Sequence, residues 1–197
     1  MLTIVDAETG GVLDKHPTIS LAAITVDDKF NELGYFDAKI KFTEAECDIE
    51  ALKINNYNRD EWARDAQAEN AVCMQFAKWL EDYKCIQMIS KKTGRPYAVA
   101  RLAGHNAAAF DGPRLKRMFA EHKLFLPAHP IVLDTLQLAQ WRLFKMGRQL
   151  ESYKLTALCE LCGIPTEGAH GALADCRMTN SLINVLLHGN IPAAVKS

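Results

Sequence analysis

The chain has 197 residues, enough for one domain with a full hydrophobic core, and 49% hydrophobic with 24% charged residues fit a globular class and disfavour disorder. A formal net charge of −1 gives no basic surface overall, so a polyanionic partner would have to be met by local charge. The start, MLTIVDAETGG, has neither a basic leader nor a long apolar run, so membrane insertion and export are not expected and the cytoplasm is the default location.

In chain order, residues 2–7 (LTIVDA) are β-rich, and 18–26 (TISLAAITV) form a second apolar run before the turn-prone Asp27-Asp28. A third strand follows, with Phe36, Ala38, Ile40 and Phe42 facing one way and Tyr35, Asp37, Lys39 and Lys41 the other. Short links between these runs predict an antiparallel meander. The stretch 43–65 reads as a small helix and a surface excursion placed to cover a site. From about Ala66 to Lys92, Val72, Phe76, Leu80 and Tyr83 recur at three- and four-residue steps, which predicts a long helix closed by Lys91-Lys92-Thr93-Gly94. A strand over 97–104, a helix over 113–122, a strand over 130–133 and helices over 135–145, 153–162 and about 172–187 complete the reading. The order β-β-β-α-β-α-β-α-α predicts a single α/β domain over 1–197, one mixed sheet with helices on both faces.

The six cysteines (Cys47, Cys73, Cys85, Cys159, Cys162 and Cys176) are expected as reduced, largely buried helix thiols. Cys159-x-x-Cys162 with His170 and Cys176 can also be drawn as a zinc site, although Cys159 falls in mid-helix. Basic residues gather in three places: Lys91, Lys92 and Arg95; Arg114, Lys116 and Arg117; Arg142, Lys145 and Arg148. Each is either a solvated face or a contact for nucleic acid.

Three stretches place acids at spacings that suit metal chemistry. Asp6 and Glu8 stand two apart at a strand end and share a face, and Thr9-Gly10-Gly11 allows an abrupt turn. Two adjacent carboxylates are what a hard cation takes. In GHNAAAFDGPRL, Asp111 is either a helix N-cap or a metal ligand. His105 and Asn106 are not explained by capping; Asn106 is placed to hold a carboxylate or a substrate group, and Phe110 to pack inward. Five helical residues turn about 500°, so His170 and Asp175 would not share a helix face; His170 belongs in a loop, with Asp175 in the first turns of the next helix. A histidine at the lip above a fixed carboxylate pairs a proton acceptor with a metal ligand. Asp134 follows an apolar strand and precedes Thr135-Leu136, so it is read as a helix cap and not as a further metal ligand.

Together, Asp6-x-Glu8-Thr9-x-Gly11, His105-Asn106 followed by Phe110-Asp111, and His170-x4-Asp175 resemble, in order, the three motifs of the DEDDh, DnaQ-like 3′–5′ exonucleases. VLDTLQLA and SYKLTALCELCGI resemble that family's connecting segments. The resemblance implies a ribonuclease H-like fold, with Asp6, Glu8, Asp111 and Asp175 holding two Mg²⁺ or Mn²⁺ ions, Asp6 bridging them, and His170 as general base. It also implies that Thr9, Gly10 and Asn106 contact the strand, and that nucleoside 5′-monophosphates leave a DNA or RNA 3′ end. Gly10 stands where the commoner family form has threonine, and three alanines separate Asn106 from Phe110 where many members have two residues. The second departure, with Gly112-Pro113, resembles the TREX-type and polymerase-associated branches.

Two readings compete with this one: a non-catalytic nucleic-acid-binding or docking module on the same fold, and a zinc-stabilised interaction protein. The expected partner is single-stranded or 3′-end nucleic acid, met by a monomer or homodimer. The ending IPAAVKS, soon after the last helix, leads to the expectation of a free-standing enzyme without a polymerase-binding tail.

Overall fold

A computed structural model describes residues 1–192; residues 193–197, and with them most of the IPAAVKS ending, lie outside the described residues. Three strands open the chain: β1 (Leu2–Thr9), β2 (Thr18–Val26) and β3 (Glu32–Lys39). They form the expected antiparallel meander, Ile4 opposite Ile24 and Ile24 opposite Tyr35. All nine residues of β2 are buried, as befits a strand with partners on both edges and helices on both faces. The excursion holds two short helices, α1 (Ile49–Ile54) and α2 (Arg59–Asp65), one more than the sequence indicates.

The long helix expected over 66–92 is not one element. Helix α3 spans Glu69–Leu80 and ends in a 3-10 turn at Glu81–Tyr83; β4 (Ile86–Ile89) and β5 (Pro96–Val99) then form an antiparallel hairpin. Lys91-Lys92-Thr93-Gly94 turns this hairpin and does not cap a helix: Ser90 N–H donates to Arg95 O at 2.9 Å, Gly94 N–H to Ser90 O at 2.8 Å, and Gly94 takes φ 68°. The three- and four-residue repeat carries through Tyr83 and stops there. Residues 97–104 also divide. Ala100 leaves both sheets to bridge Ala128, and β6 (Leu102–Gly104) joins the main sheet beside β1.

Helix α4 (Asp111–Glu121) follows, then β7 (Leu133–Asp134), which is shorter and later than the expected 130–133 strand, and α5 (Thr135–Lys145), α6 (Leu155–Leu161) and α7 (Ala172–His188). Strand order in the main sheet is β3-β2-β1-β6-β7, with β1, β6 and β7 parallel. This is the expected mixed sheet, a meander joined to parallel strands. On one face Val5, Leu21, Ala23 and Ala38 pack with α3 and α4 through Phe76, Leu80, Leu115 and Phe119; on the other Ile4, Ala22 and Ile24 pack with Cys176 and Ile183 of α7. Among the described residues no helix is long and apolar enough to cross a membrane.

Candidate active site

Alternation along β1 puts Asp6 and Glu8 on the face that α7 covers. Asp6 stands opposite Ala22 and Ala22 opposite Asp37; Glu8 stands opposite Ser20 and Ser20 opposite Lys39. Each acid thus heads a row ending in a charged side chain of β3. Asp175 enters from the first turn of α7, whose N-cap is Gly171. Ligand oxygens of Asp6, Glu8 and Asp175 lie within 4.8 Å of one another, and among the described residues no other group of three His, Cys, Asp or Glu does so.

The fourth acid, Asp111, stands beside this trio and not within it. It is the first residue of α4 and only 3% exposed, and its Oδ1 accepts the Ala7 N–H at 3.0 Å. The helix-cap reading is therefore overturned: Phe110 occupies the N-cap position, and the Asp111 carboxylate reaches back to β1 between Asp6 and Glu8.

Burial and mutual repulsion shape the electrostatics. Asp6 is held well above the usual carboxylate range by burial, then by Asp111, Glu8 and Asp175. Burial, then Asp175 and Asp111, push Glu8 up to about 7. Burial raises Asp111 to about 7 against the opposing pull of the Ala7 N–H, and raises Asp175 against that of the His170 N–H. No cationic side chain is among the groups that shift Asp6 or Glu8. Hard oxygen donors this close, without a protein cation to balance them, fit divalent cations.

His170 lies in the loop before α7, exposed and at φ 66°, and its N–H meets Asp175 Oδ1 at 3.3 Å. It borders a cavity of about 190 Å³ together with Glu8, Lys39, Asn55 and Trp62. The excursion thus rims the site, and it is pinned there: Asn55 Nδ2 donates to Thr9 O at 2.8 Å, and Asp48 N–H to Gly10 O at 2.7 Å. The Thr9 hydroxyl donates to Gly11 O, and a Cβ at Gly10 would strike the Cys47 side chain. Both residues are engaged in the turn that ends β1.

Asn106 is exposed at φ 59°, at the C-terminal end of β6. Asp134 caps α5 as expected, accepting from Leu136 N–H at 2.9 Å, but it also accepts the Asn106 and Ala108 N–H groups, each at 3.0 Å. His105 is a pin, with Nδ1 2.8 Å from Thr135 Oγ1 and Nε2 2.9 Å from Tyr153 O. Phe110 packs inward only halfway, and the Arg114 guanidinium lies 4.1 Å from its ring centroid.

Arg114 itself is 2% exposed and donates to Val12 O and Leu13 O, so it braces the loop after β1 and offers no face to nucleic acid. The zinc reading fails on placement: Cys159 is buried between α5, α6 and α7, whereas Cys176 lies under α7 with Sγ 3.6 Å from Ala22 O. Burial pushes the Cys159 thiol up to about 12, as expected of a buried helix cysteine.

Residues 97–183 match the family model described as exonuclease, a span that holds the second and third motifs. No curated protein matches the chain in sequence. Among solved structures, that of exonuclease I described as suggesting how processivity is achieved superposes with a TM-score of 0.71 at 20% identity over 93% of this chain and 40% of its own. Escherichia coli exonuclease I in complex with a dA16 oligonucleotide gives 0.70 at 19%, over 93% and 40%. The zinc-ion-bound form of the E. coli complex with single-stranded DNA gives 0.72 at 19%, over 96% and 41%.

Residues 97–183 thus resemble the exonuclease family in sequence, and the chain has the ribonuclease H-like fold of exonuclease I. It spans about two-fifths of the length of the exonuclease I chains it matches. In this exonuclease fold the acids come from three elements, β1, α4 and α7, that sequence order keeps apart. Lys39, Asn55, Trp62, Arg114 and the second role of Asp134 carry no motif. The polar face of β3 is the one sequence signal that points to Lys39.

Proposed function

We propose that this chain is a metal-dependent 3′–5′ exonuclease that releases nucleoside 5′-monophosphates from DNA or RNA ends, with residues 1–197 acting as one domain. The observation that carries the reading is the approach of Asp6, Glu8 and Asp175, all partly buried, within 4.8 Å of one another, with the buried Asp111 beside them. Three partly buried acids so placed repel one another and contribute nothing to stability unless cations lie between them. Bound there, two Mg²⁺ or Mn²⁺ ions would lower the pKa of water and offset charge at the phosphoryl group.

The protein's own groups supply the rest. Asp6, at the centre of the cluster's repulsion, would hold the ions together with Glu8, Asp175 and Asp111. His170, exposed beside Asp175, would take the proton of the attacking water. Asn106, exposed at the end of β6, is placed to meet the strand. The cavity between His170, Asn55 and Trp62 admits a group next to Glu8. A 5′-labelled single strand tests polarity and product: stepwise shortening from the 3′ end with mononucleotide release in Mg²⁺ or Mn²⁺ is expected. Internal cuts, or shortening from the 5′ end, would refute the reading.

A further inference from the structure

Of the three basic clusters, two are largely committed to the fold, only Lys145 of their six members being exposed without a partner among the described residues. Arg114 is buried and Lys116 donates to Pro130 O, while Arg142 donates to Gly189 O and Arg148 to Pro192 O. Lys91, Lys92 and Arg95 differ: all three are exposed, and among the described residues their side chains have no hydrogen-bond or ion-pair partner. They stand on an ordered turn closed by two backbone hydrogen bonds and by Thr93 N–H to Ser90 Oγ. The same hairpin borders a groove of about 610 Å³ that also includes Tyr97 and Phe125. Phe125 is 64% exposed, its ring 6.0 Å from that of Tyr97 in an edge-on pair. No carboxylate lines the groove.

We propose that this hairpin and Phe125 form a second contact for single-stranded nucleic acid, with phosphates on Lys91, Lys92 and Arg95 and a base on the exposed Phe125 ring. Unpaired cations beside a solvent-facing ring are the chemistry of a sequence-tolerant strand contact, and they complement a polyanion better than an apolar peptide. The base of the hairpin lies at the end of β1 opposite to the carboxylates. Strand β5 leads into the start of β6, which runs parallel to β1 with Leu102 opposite Thr3, and the Cys85 thiol reaches Met1 O. Glu8 is seven residues further along β1, about 23 Å at the usual strand rise. A strand running from the hairpin base to Glu8 spans about seven stacked nucleotides.

The test is anisotropy of labelled oligo(dT) and oligo(U) of about 30 nucleotides with the full chain in chelator, so that binding is read without turnover and independently of the nuclease reading. For the triple variant Lys91→Ala, Lys92→Ala, Arg95→Ala, affinity is expected to fall about tenfold, with the slope of log K against log salt smaller by about two. Phe125→Ala is expected to lose about fivefold with the slope unchanged. Hydrolysis of a tetranucleotide should be unaffected in both. Wild-type affinity and slope in the triple variant would overturn the proposal. So would a wild-type protein that holds the long strand no better than the tetranucleotide, or a triple variant that loses binding to anionic vesicles while retaining oligonucleotide binding.

Discussion

Asp6 is the residue on which most of the cluster's repulsion falls, since it is raised by burial and by all three other acids. On the proposed function, replacing it would remove a metal ligand and a source of repulsion together. Asp6→Asn is expected to cut turnover by orders of magnitude while raising the metal-free melting temperature by a few degrees, on the order of 1 kcal/mol. The gain depends on pH in a defined sense. A carboxyl whose folded pKa exceeds its unfolded one binds more protons when folded, so stability falls as pH rises between the two values. For Glu8 that interval runs from 4.5 to about 7, and Asp6, Asp111 and Asp175 shift in the same direction. The advantage of Asp6→Asn over wild type should therefore be small at pH 4.5 and widen through pH 7; thermal melts in chelator check this, and an advantage that shrinks with pH would contradict it. His170→Ala should lower the rate by ~10²–10⁴ across the pH range with metal affinity nearly retained, because its ring lies outside the carboxylate trio. Asp6, Glu8, Asp175 and His170 were legible because their placement follows from local periodicity. Asp111 was legible only as a choice between two roles, since its deciding contact is with Ala7, 104 residues away. Arg114 was misread as a surface cation because its partners are carbonyls of a distant loop, and side-chain type does not reveal those.

At the scale of elements, the second motif depends on a loop that Asp134 organises. One carboxylate takes N–H groups from Asn106, Ala108 and Leu136, joining the end of β6 to the start of α5. Asp134→Ala is thus expected to cost more than an ordinary lost cap, about 2 kcal/mol or more in urea unfolding, and to slow turnover through a loosened Asn106 without touching the metal ligands. A cost below 0.5 kcal/mol by the same measurement would show that the loop is held otherwise. The elements that the sequence indicated well were those with an unbroken period: Phe36 and Ala38 of β3, and Ile40 just beyond it, pack into one core as their alternation indicates. Where two elements meet without a turn signal between them the reading failed. Tyr83 completes a helical repeat and Ile86 opens a strand three residues later, with no glycine or proline to separate them. Ala98 and Ala103 lie in strands of different sheets because Ala100 pairs with a third segment, a tertiary fact that no local pattern reports.

For the whole molecule, a net charge of −1 hides a division between a carboxylate cluster at one end of the sheet and an unpaired basic hairpin at the other. Because cations would bind only the folded cluster, Mg²⁺ or Mn²⁺ should raise the melting temperature above pH 7 in proportion to the logarithm of concentration, and chelation should reverse it. The fold class was legible from element order alone, since three linked strands followed by alternating helices and strands leave few layer arrangements. The excursion was legible as a segment over the site, but its second helix and its pins were not, because those contacts are made to backbone groups of Gly10 and Thr9. The central claim, that the cluster of Asp6, Glu8 and Asp175 is a metal-dependent nuclease centre, is tested most directly by the initial rate of mononucleotide release against Mg²⁺ and Mn²⁺ concentration, for wild type and Asp175→Asn. The account predicts a saturating metal requirement in wild type, abolished by chelator, and a variant that folds but stays orders of magnitude slower at every concentration. A wild-type rate in the variant, or release that persists in chelator, would contradict it.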